Sequence, residues 1–310
     1  MIVLALAVLL PSLFWDQGPD TAAALRDAGI AHVSVPQAMA QSWQKVPGIS
    51  VEVADPQGMR KLPAPSVRFR MNEASATRSP WVDANGWRYL RYAGSKFYCD
   101  APGKAAALAA AEAYTYGAGT LIHTDIDGLK PLGQMLQFLE KLPRVDLPAV
   151  SDIRFIDDGS PQSGELMNLL IRRNLLFRIA KPGESGSGPV VRVGSKEYPK
   201  AEAANPSLLA EKVRANLTDE KRSLRIYGSE VVIARLLAQD GSARLYLINY
   251  QSGRRAVEGI RVRVAGDYSK HSILAYGAPG AALIDYSMKT GATEFTLPEL
   301  KTYAVIDLTR

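Results

Sequence analysis

From Glu230 to the C-terminus the apolar residues fall on alternate positions, and before it the chain follows a different rule. Strict alternation gives a strand one buried and one solvated face, so this part must pair with itself as antiparallel sheet. "VVIARLLAQDGSARLYLINY" (231–250) reads as two strands around Asp240-Gly241, a pair of residues suited to a two-residue hairpin turn. Arg261-Val262-Arg263-Val264 alternates in the same way. Further strands are expected at 272–276, 282–286, 294–297 and 303–308, giving a small antiparallel sandwich.

The first half instead alternates short apolar runs with helical patterns, the signature of βα units and a mostly parallel sheet. Strands are expected at 13–16, 32–35, 49–53, 67–71, 96–100 and 120–124, six in all, or seven if 87–92 is one. Asp20 can cap a helix that runs to Ala28 and ends at Gly29. The alanine-rich 103–116 should pack closely, and Leu129, Leu132, Leu136 and Leu139 form one buried stripe. A complete (β/α)₈ barrel needs roughly 250 residues and the smallest about 200. Only the residues before Pro148 are available, so the expected fold is a shortened or incomplete TIM-barrel-like domain. A second α/β module, flavodoxin-like, should begin at Asp152: strand 153–156, helix 163–173, strand 176–180, the flexible "KPGESGSGP", strand 190–193 and helix 206–216. The expected boundaries are therefore 15–150, 151–228 and 229–310. Residues 1–14, MIVLALAVLLPSLF, are an uncharged apolar run too short to span a bilayer. They read as a signal-peptide core of a secreted or periplasmic protein, or as a buried first strand.

At 310 residues, 47% hydrophobic and 22% charged, the chain is ordinary for a soluble globular protein. The single Cys99 excludes an internal disulfide framework, and His32, His123 and His271 are far apart, so neither a metal centre nor a cofactor is expected. No stretch after the first is apolar enough for a membrane helix. The net charge of +6 is concentrated between Arg60 and Lys104, where nine basic residues face three acidic ones. Trp81, Trp87, Tyr89, Tyr92 and Tyr98 interleave there with Arg78, Arg88 and Arg91. Aromatic faces stack on sugars or bases and arginine forks hold anionic groups, although buried aromatics with arginines at a solvated rim would look the same. No nucleic-acid motif accompanies them.

Three passages carry a family resemblance: "AAAEAYTYGAGTLIH" (109–123), "IRFIDDGSPQSGELMNLLIRRNLLFRIA" (153–180) and the closing "LYLINYQ…TLPELKTYAVIDL". Their order resembles that of certain secreted bacterial glycoside hydrolases, including a family of β-galactosidases. In these a barrel is followed by a glutamine-amidotransferase-like module and a β-sandwich. The resemblance implies a carbohydrate ligand and hydrolysis by two carboxyl groups, one donating a proton and the other acting as nucleophile or base. It also implies that Glu73, after Asn72 at a strand end, is the acid.

The second carboxylate is not supplied by the family's late glutamate, because Glu112 and Glu140 sit in helical patterns; Asp100 and Asp125 are the candidates at strand ends. Substrate contacts are expected from Asp16, Asn72, Arg78, Trp81, Asp83, Trp87 and Arg88, with turn formation as the competing role for Asp16 and Asp83. Cys99 lies within a strand and lacks the glycine-flanked elbow of a nucleophile, so a buried structural thiol is the favoured reading. "DDGS" at 157–160 fits either an acidic metal loop or a helix cap. Two functions follow: an extracellular glycoside hydrolase acting on an anionic glycan, or a non-catalytic glycan-binding protein on the same architecture. Sugar identity and oligomeric state are not legible.

Overall fold

The computed structural model describes residues 10–69 and 80–310. These form two compact units, Met1–Ser66 with Tyr92–Asp146 and Val67–Arg91 with Leu147–Arg310. The chain leaves the first unit, contributes a short excursion to the second, and returns.

The first unit is built on six short strands, β1 (Ser12–Phe14), β2 (His32–Val35), β3 (Ser50–Val53), β4 (Arg60–Leu62), β7 (Phe97–Asp100) and β8 (Thr120–His123). Between β4 and β7 come β5 (Ser66–Arg68) and β6 (Trp81–Asp83), which pair with each other and stand outside this sheet. All six strands are parallel, in the order β3-β2-β1-β8-β7-β4. Every strand but β4 thus neighbours its predecessor in the unit and the last pairs with the first, as in barrel winding. Among the described residues β3 and β4 are unjoined, and no closed barrel is seen.

Three sequence expectations change here. The strand expected at 67–71 is β5, whose partner is β6 rather than the parallel sheet. The expected seventh strand, 87–92, is instead helix α3 (Gly86–Arg91), which follows α1 (Ala22–Asp27) and α2 (Ala40–Trp43). Asp20 lies in a 3₁₀ turn, Pro19–Thr21, ahead of α1 and does not cap it. Of the apolar N-terminal run, Ser12–Phe14 is β1, paired on both sides, and residues 1–9 are outside the described residues. Helix α4 (Ala105–Thr115) is buried from Ala106 onward, because its alanines let it lie close against α5 (Ile126–Glu140).

In the second unit β9 (Ile153–Phe155), β10 (Phe177–Ile179) and β11 (Val190–Val191) form a parallel sheet in the order β10-β9-β11, with α6 (Pro161–Arg172) and α7 (Pro206–Leu217). Two four-stranded antiparallel sheets follow. One joins β12 (Leu224–Tyr227), β15 (Val257–Ala265), β18 (Ala292–Leu300) and β17 (Ile284–Lys289); the other joins β13 (Val232–Gln239), β14 (Ser242–Asn249), β19 (Tyr303–Thr309) and β16 (Lys270–Ala275). The β13–β14 hairpin turns on Asp240 and Gly241 at φ 51° and 80°. Two positive φ values in succession are what the primed hairpin turn demands.

Leu245, Leu247, Val262, Leu297 and Ile306 are fully buried in the sandwich. Asn174 ties this core to the α/β part: its amide donates to Val232 O at 3.0 Å and accepts from Ala234 N at 2.7 Å. Among the described residues no helix is long and apolar enough to cross a membrane.

Candidate functional site

Two constellations carry chemistry, one in each unit. In the first unit, parallel strands deliver their C-terminal residues to one edge of the sheet, where loop residues of α/β proteins meet ligands. Asp16 follows β1, Asp100 ends β7 and His123 ends β8. The imidazole lies between the carboxylates, Nε2 3.1 Å from Asp16 Oδ1 and Nδ1 3.0 Å from Asp100 Oδ1. The ring donates to both only when both nitrogens carry hydrogen. Tyr98 lies nearly parallel to His123 at 6.3 Å and edge-on to Phe14 at 5.8 Å. Its hydroxyl is pushed up to about 12 by burial, with the charges of Asp100 and Asp16 adding to the effect.

Asp125 is placed differently. It caps α5, and its Oδ1 accepts from Gly128 N at 2.9 Å and Gly103 N at 2.8 Å. Its carboxylate therefore fastens the start of α5 to the loop before α4. Cys99 is fully buried on β7, its thiol pushed up to about 12 by burial, then by the charges of Glu112 and Asp100. Its Sγ faces Pro63 O at 3.6 Å. A thiol so held supplies no thiolate at neutral pH. Asn72, Glu73 and Arg78 lie outside the described residues.

In the second unit a cleft of about 630 Å³ is lined by Arg68, Trp81, Asp83, Trp87, Arg88 and Arg91, and across from these by one face of α6. Trp81, Asp83, Trp87 and Arg88, separate expectations from the sequence, thus share one concavity. Each is held by a specific contact. Arg68 donates to Asp83 Oδ2 through Nε at 3.0 Å and Nη2 at 2.6 Å, while Trp81 Nε1 donates to Asp83 Oδ1 at 3.0 Å. The Arg172 guanidinium covers the Trp81 ring at 4.1 Å, and that of Arg88 lies over Trp87 at 4.4 Å. Arg88 Nη1 also donates to Ala84 O and Asn85 Oδ1 at 3.1 Å each.

Helix α3 is fixed by Arg91. Its guanidinium takes both Asp157 oxygens, Nε to Oδ2 at 2.8 Å and Nη2 to Oδ1 at 2.6 Å, and donates to Ser160 O at 2.9 Å. The "DDGS" segment that receives it is a cap. Ser160 accepts from Ser163 N at 3.1 Å, and Asp158 Oδ1 accepts from Ser160 N at 3.0 Å and from the Ser163 hydroxyl at 2.6 Å. Burial pushes the Asp158 carboxyl up, but hydrogen bonds from Ser163 and Ser160 outweigh it and hold the group at about 2. Among the described residues no cluster of three or more histidine, cysteine, aspartate or glutamate side chains could hold a metal ion.

Gly164 lets the two walls meet, since a Cβ there would lie 3.1 Å from the Trp87 ring and 2.9 Å from Arg91 Nη1. Glu165 and Asn168, also lining the cleft, were not anticipated from sequence; they are far from Trp87 along the chain and carry no local motif.

No protein-family model matches the chain, and no curated protein sequence matches it. Among solved structures it is similar to α-L-fucosidase isoenzyme 2 from Paenibacillus thiaminolyticus, with TM-score 0.54 and 11% identity over 71% of this chain and 62% of that one. The match thus spans less than two thirds of the fucosidase's length. Lower similarity is found to a noncanonic maltogenic α-amylase, AmyB, from Thermotoga neapolitana, with TM-score 0.25 and 11% identity over 98% of this chain and all of that one. The glycoside hydrolase family 30 subfamily 8 xylanase Xyn30A from Clostridium acetobutylicum gives TM-score 0.24 and 8% identity over 96% and 56%. At such identities the likeness is one of fold alone, a parallel α/β sheet combined with a β-sandwich.

Proposed function

We propose that the chain binds carbohydrate in the Trp81–Trp87 cleft of its second unit. The observation that carries this reading is a pair of half-buried indoles lining one cleft together with carboxylate, amide and guanidinium groups. Its volume of about 630 Å³ is in the usual range of small-molecule sites. Indoles offer flat apolar area to a sugar ring, and the polar groups offer partners to its hydroxyls. The fold likeness to a fucosidase supports the ligand class. A secreted or periplasmic setting belongs to the proposal, since polymeric glycans are met there.

Trp87→Ala is expected to weaken oligosaccharide binding at least ten-fold in calorimetric titrations, with the circular dichroism spectrum unchanged. Unchanged affinity in the folded variant counts against the cleft.

One observation favours hydrolysis as a second reading: Asp16 and Asp100 reach the edge of the parallel sheet where barrel enzymes place their catalytic groups. Here Asp100 serves as one carboxylate; Glu73, the acid implied by the resemblance, lies outside the described residues. Asp125 is the weaker partner because two backbone N–H groups occupy its Oδ1. A retaining pair stands ~5–5.5 Å apart and an inverting pair ~6.5–9.5 Å. The His123 ring fills the space between Asp16 and Asp100, so those two do not flank an open gap. The expected result is release of nitrophenol from an aryl-glycoside panel that includes the α-L-fucoside, with kcat reduced at least 100-fold in Asp100→Asn. No release from any substrate by the wild type would remove this reading and leave binding intact.

A further inference from the structure

We infer that the cleft selects sugars without negative charge, and that Glu165 and Asn168 are the residues that read them. The inference rests on the cleft being a sugar site. It departs from the charge count of the sequence, which points to an anionic glycan.

Among the described residues, the cations lining the cleft already have partners. Arg68 is spent on Asp83, and Arg91 on Asp157 and Ser160 O. Arg88 holds carbonyl oxygens at the start of its own helix while lying over Trp87. An incoming carboxylate or sulfate would have to share a guanidinium with one of these partners.

The acceptors show the opposite pattern. Pro161, Gly164, Glu165 and Asn168 recur at steps of three, one and three, which puts them on one face of α6 turned to the cleft. Glu165 is exposed, and among the described residues it has no hydrogen bond or ion pair. Asn168 Oδ1 is buried and has no hydrogen-bond partner among the described residues. A buried acceptor without a donor is costly, so a ligand that supplies one relieves the cost on binding. Sugar hydroxyls donate, and the ammonium group of an amino sugar donates with a charge that suits Glu165. A uronate or sulfate brings acceptors and a charge that Glu165 repels. Two acceptors on one rigid helix, opposite two indoles, therefore favour hydroxyl-rich neutral sugars and, above them, amino sugars.

The test is calorimetric titration of the whole chain with hexamers of glucose, galactose, mannose, xylose, glucosamine and galacturonate at low and high salt. Glucosamine oligomers are expected to bind tightest and galacturonate at least ten-fold more weakly, with neutral oligomers between them and insensitive to salt. Glu165→Gln sits on an exposed position and should fold normally. It is expected to weaken glucosamine binding about ten-fold, the size of a charge-assisted hydrogen bond, and to leave the neutral oligomers within a few-fold. Asn168→Leu is expected to weaken every oligomer. Preference for galacturonate, or indifference of all six affinities to Glu165→Gln, overturns this inference while the sugar site stands. Absence of binding to all six overturns the sugar site and the inference with it.

Discussion

Leu247→Asp is expected to destabilise the second unit by several kcal/mol, on the order of 5, because it places an unpaired carboxylate in a dry core. Leu247 is fully buried on β14, with Ala234 of β13 on one side and Ala304 of β19 on the other, neither able to pair with a charge. Native stability is typically ~5–15 kcal/mol, so a loss of this size leaves little folded chain in urea titrations. Leu247→Ala should cost less, about 2–5 kcal/mol, because it opens a cavity without burying a charge. The cleft residues come from 67–91 and α6, so the sandwich acts on binding only through folding. A Leu247→Asp variant with wild-type stability and no sugar binding would contradict that division of labour.

Arg91→Ala is expected to cost about 3–5 kcal/mol, since it strands a carboxylate that the structure keeps out of water. The side chains of Arg91 and Asp157 are only 6% and 13% exposed, and the pair is bidentate. Removing both partners together, as Arg91→Met with Asp157→Leu, should restore most of the loss, because the penalty belongs to the orphaned charge. Arg91→Lys keeps the charge and loses the fork, so it should fall between wild type and alanine. Urea denaturation of wild type, Arg91→Met, Asp157→Leu and the double variant measures the coupling, with Arg91→Ala and Arg91→Lys beside them. The Arg91 guanidinium also lies 5.6 Å from the centre of the Trp87 ring, and both side chains border Gly164, so sugar affinity should fall in the alanine variant even under conditions where it remains folded.

The alternating strands of the sandwich were legible because their period is set by burial on one face, and Asp240-Gly241 marked the hairpin through local backbone chemistry alone. The parallel strands were legible as short apolar runs. Their sheet membership was not: the pattern of 67–71 fits a barrel strand, and only the partner strand β6 takes it elsewhere. Strand β4 passed unnoticed because Arg60 and Lys61 are exposed and a three-residue edge strand has no period to read. In "WRYLRY" arginines and aromatics mimic alternation. The helix forms because Arg88 N and Tyr89 N both return to Asn85 O, and because Arg91 finds Asp157 far along the chain.

The same separation explains the site. Trp81, Asp83, Trp87 and Arg88 stood out as a local cluster of aromatics and charges, whereas the acceptors that complete the cleft sit on α6 and could be joined to them only by the fold. His123 came into the sequence reading only as one of three histidines far apart in the chain. Its position between Asp16 and Asp100 follows from three parallel strands ending at one edge.

The position of a bound oligosaccharide tests the central claim most directly, and a crystal structure of the chain with a glucosamine hexamer would give it. The account predicts sugar rings against Trp81 and Trp87 in the second unit, with a hydroxyl or ammonium group within hydrogen-bond distance of Glu165 and Asn168. A hexamer seated instead at the Asp16–His123–Asp100 edge of the parallel sheet, with the Trp81–Trp87 cleft empty, would contradict it.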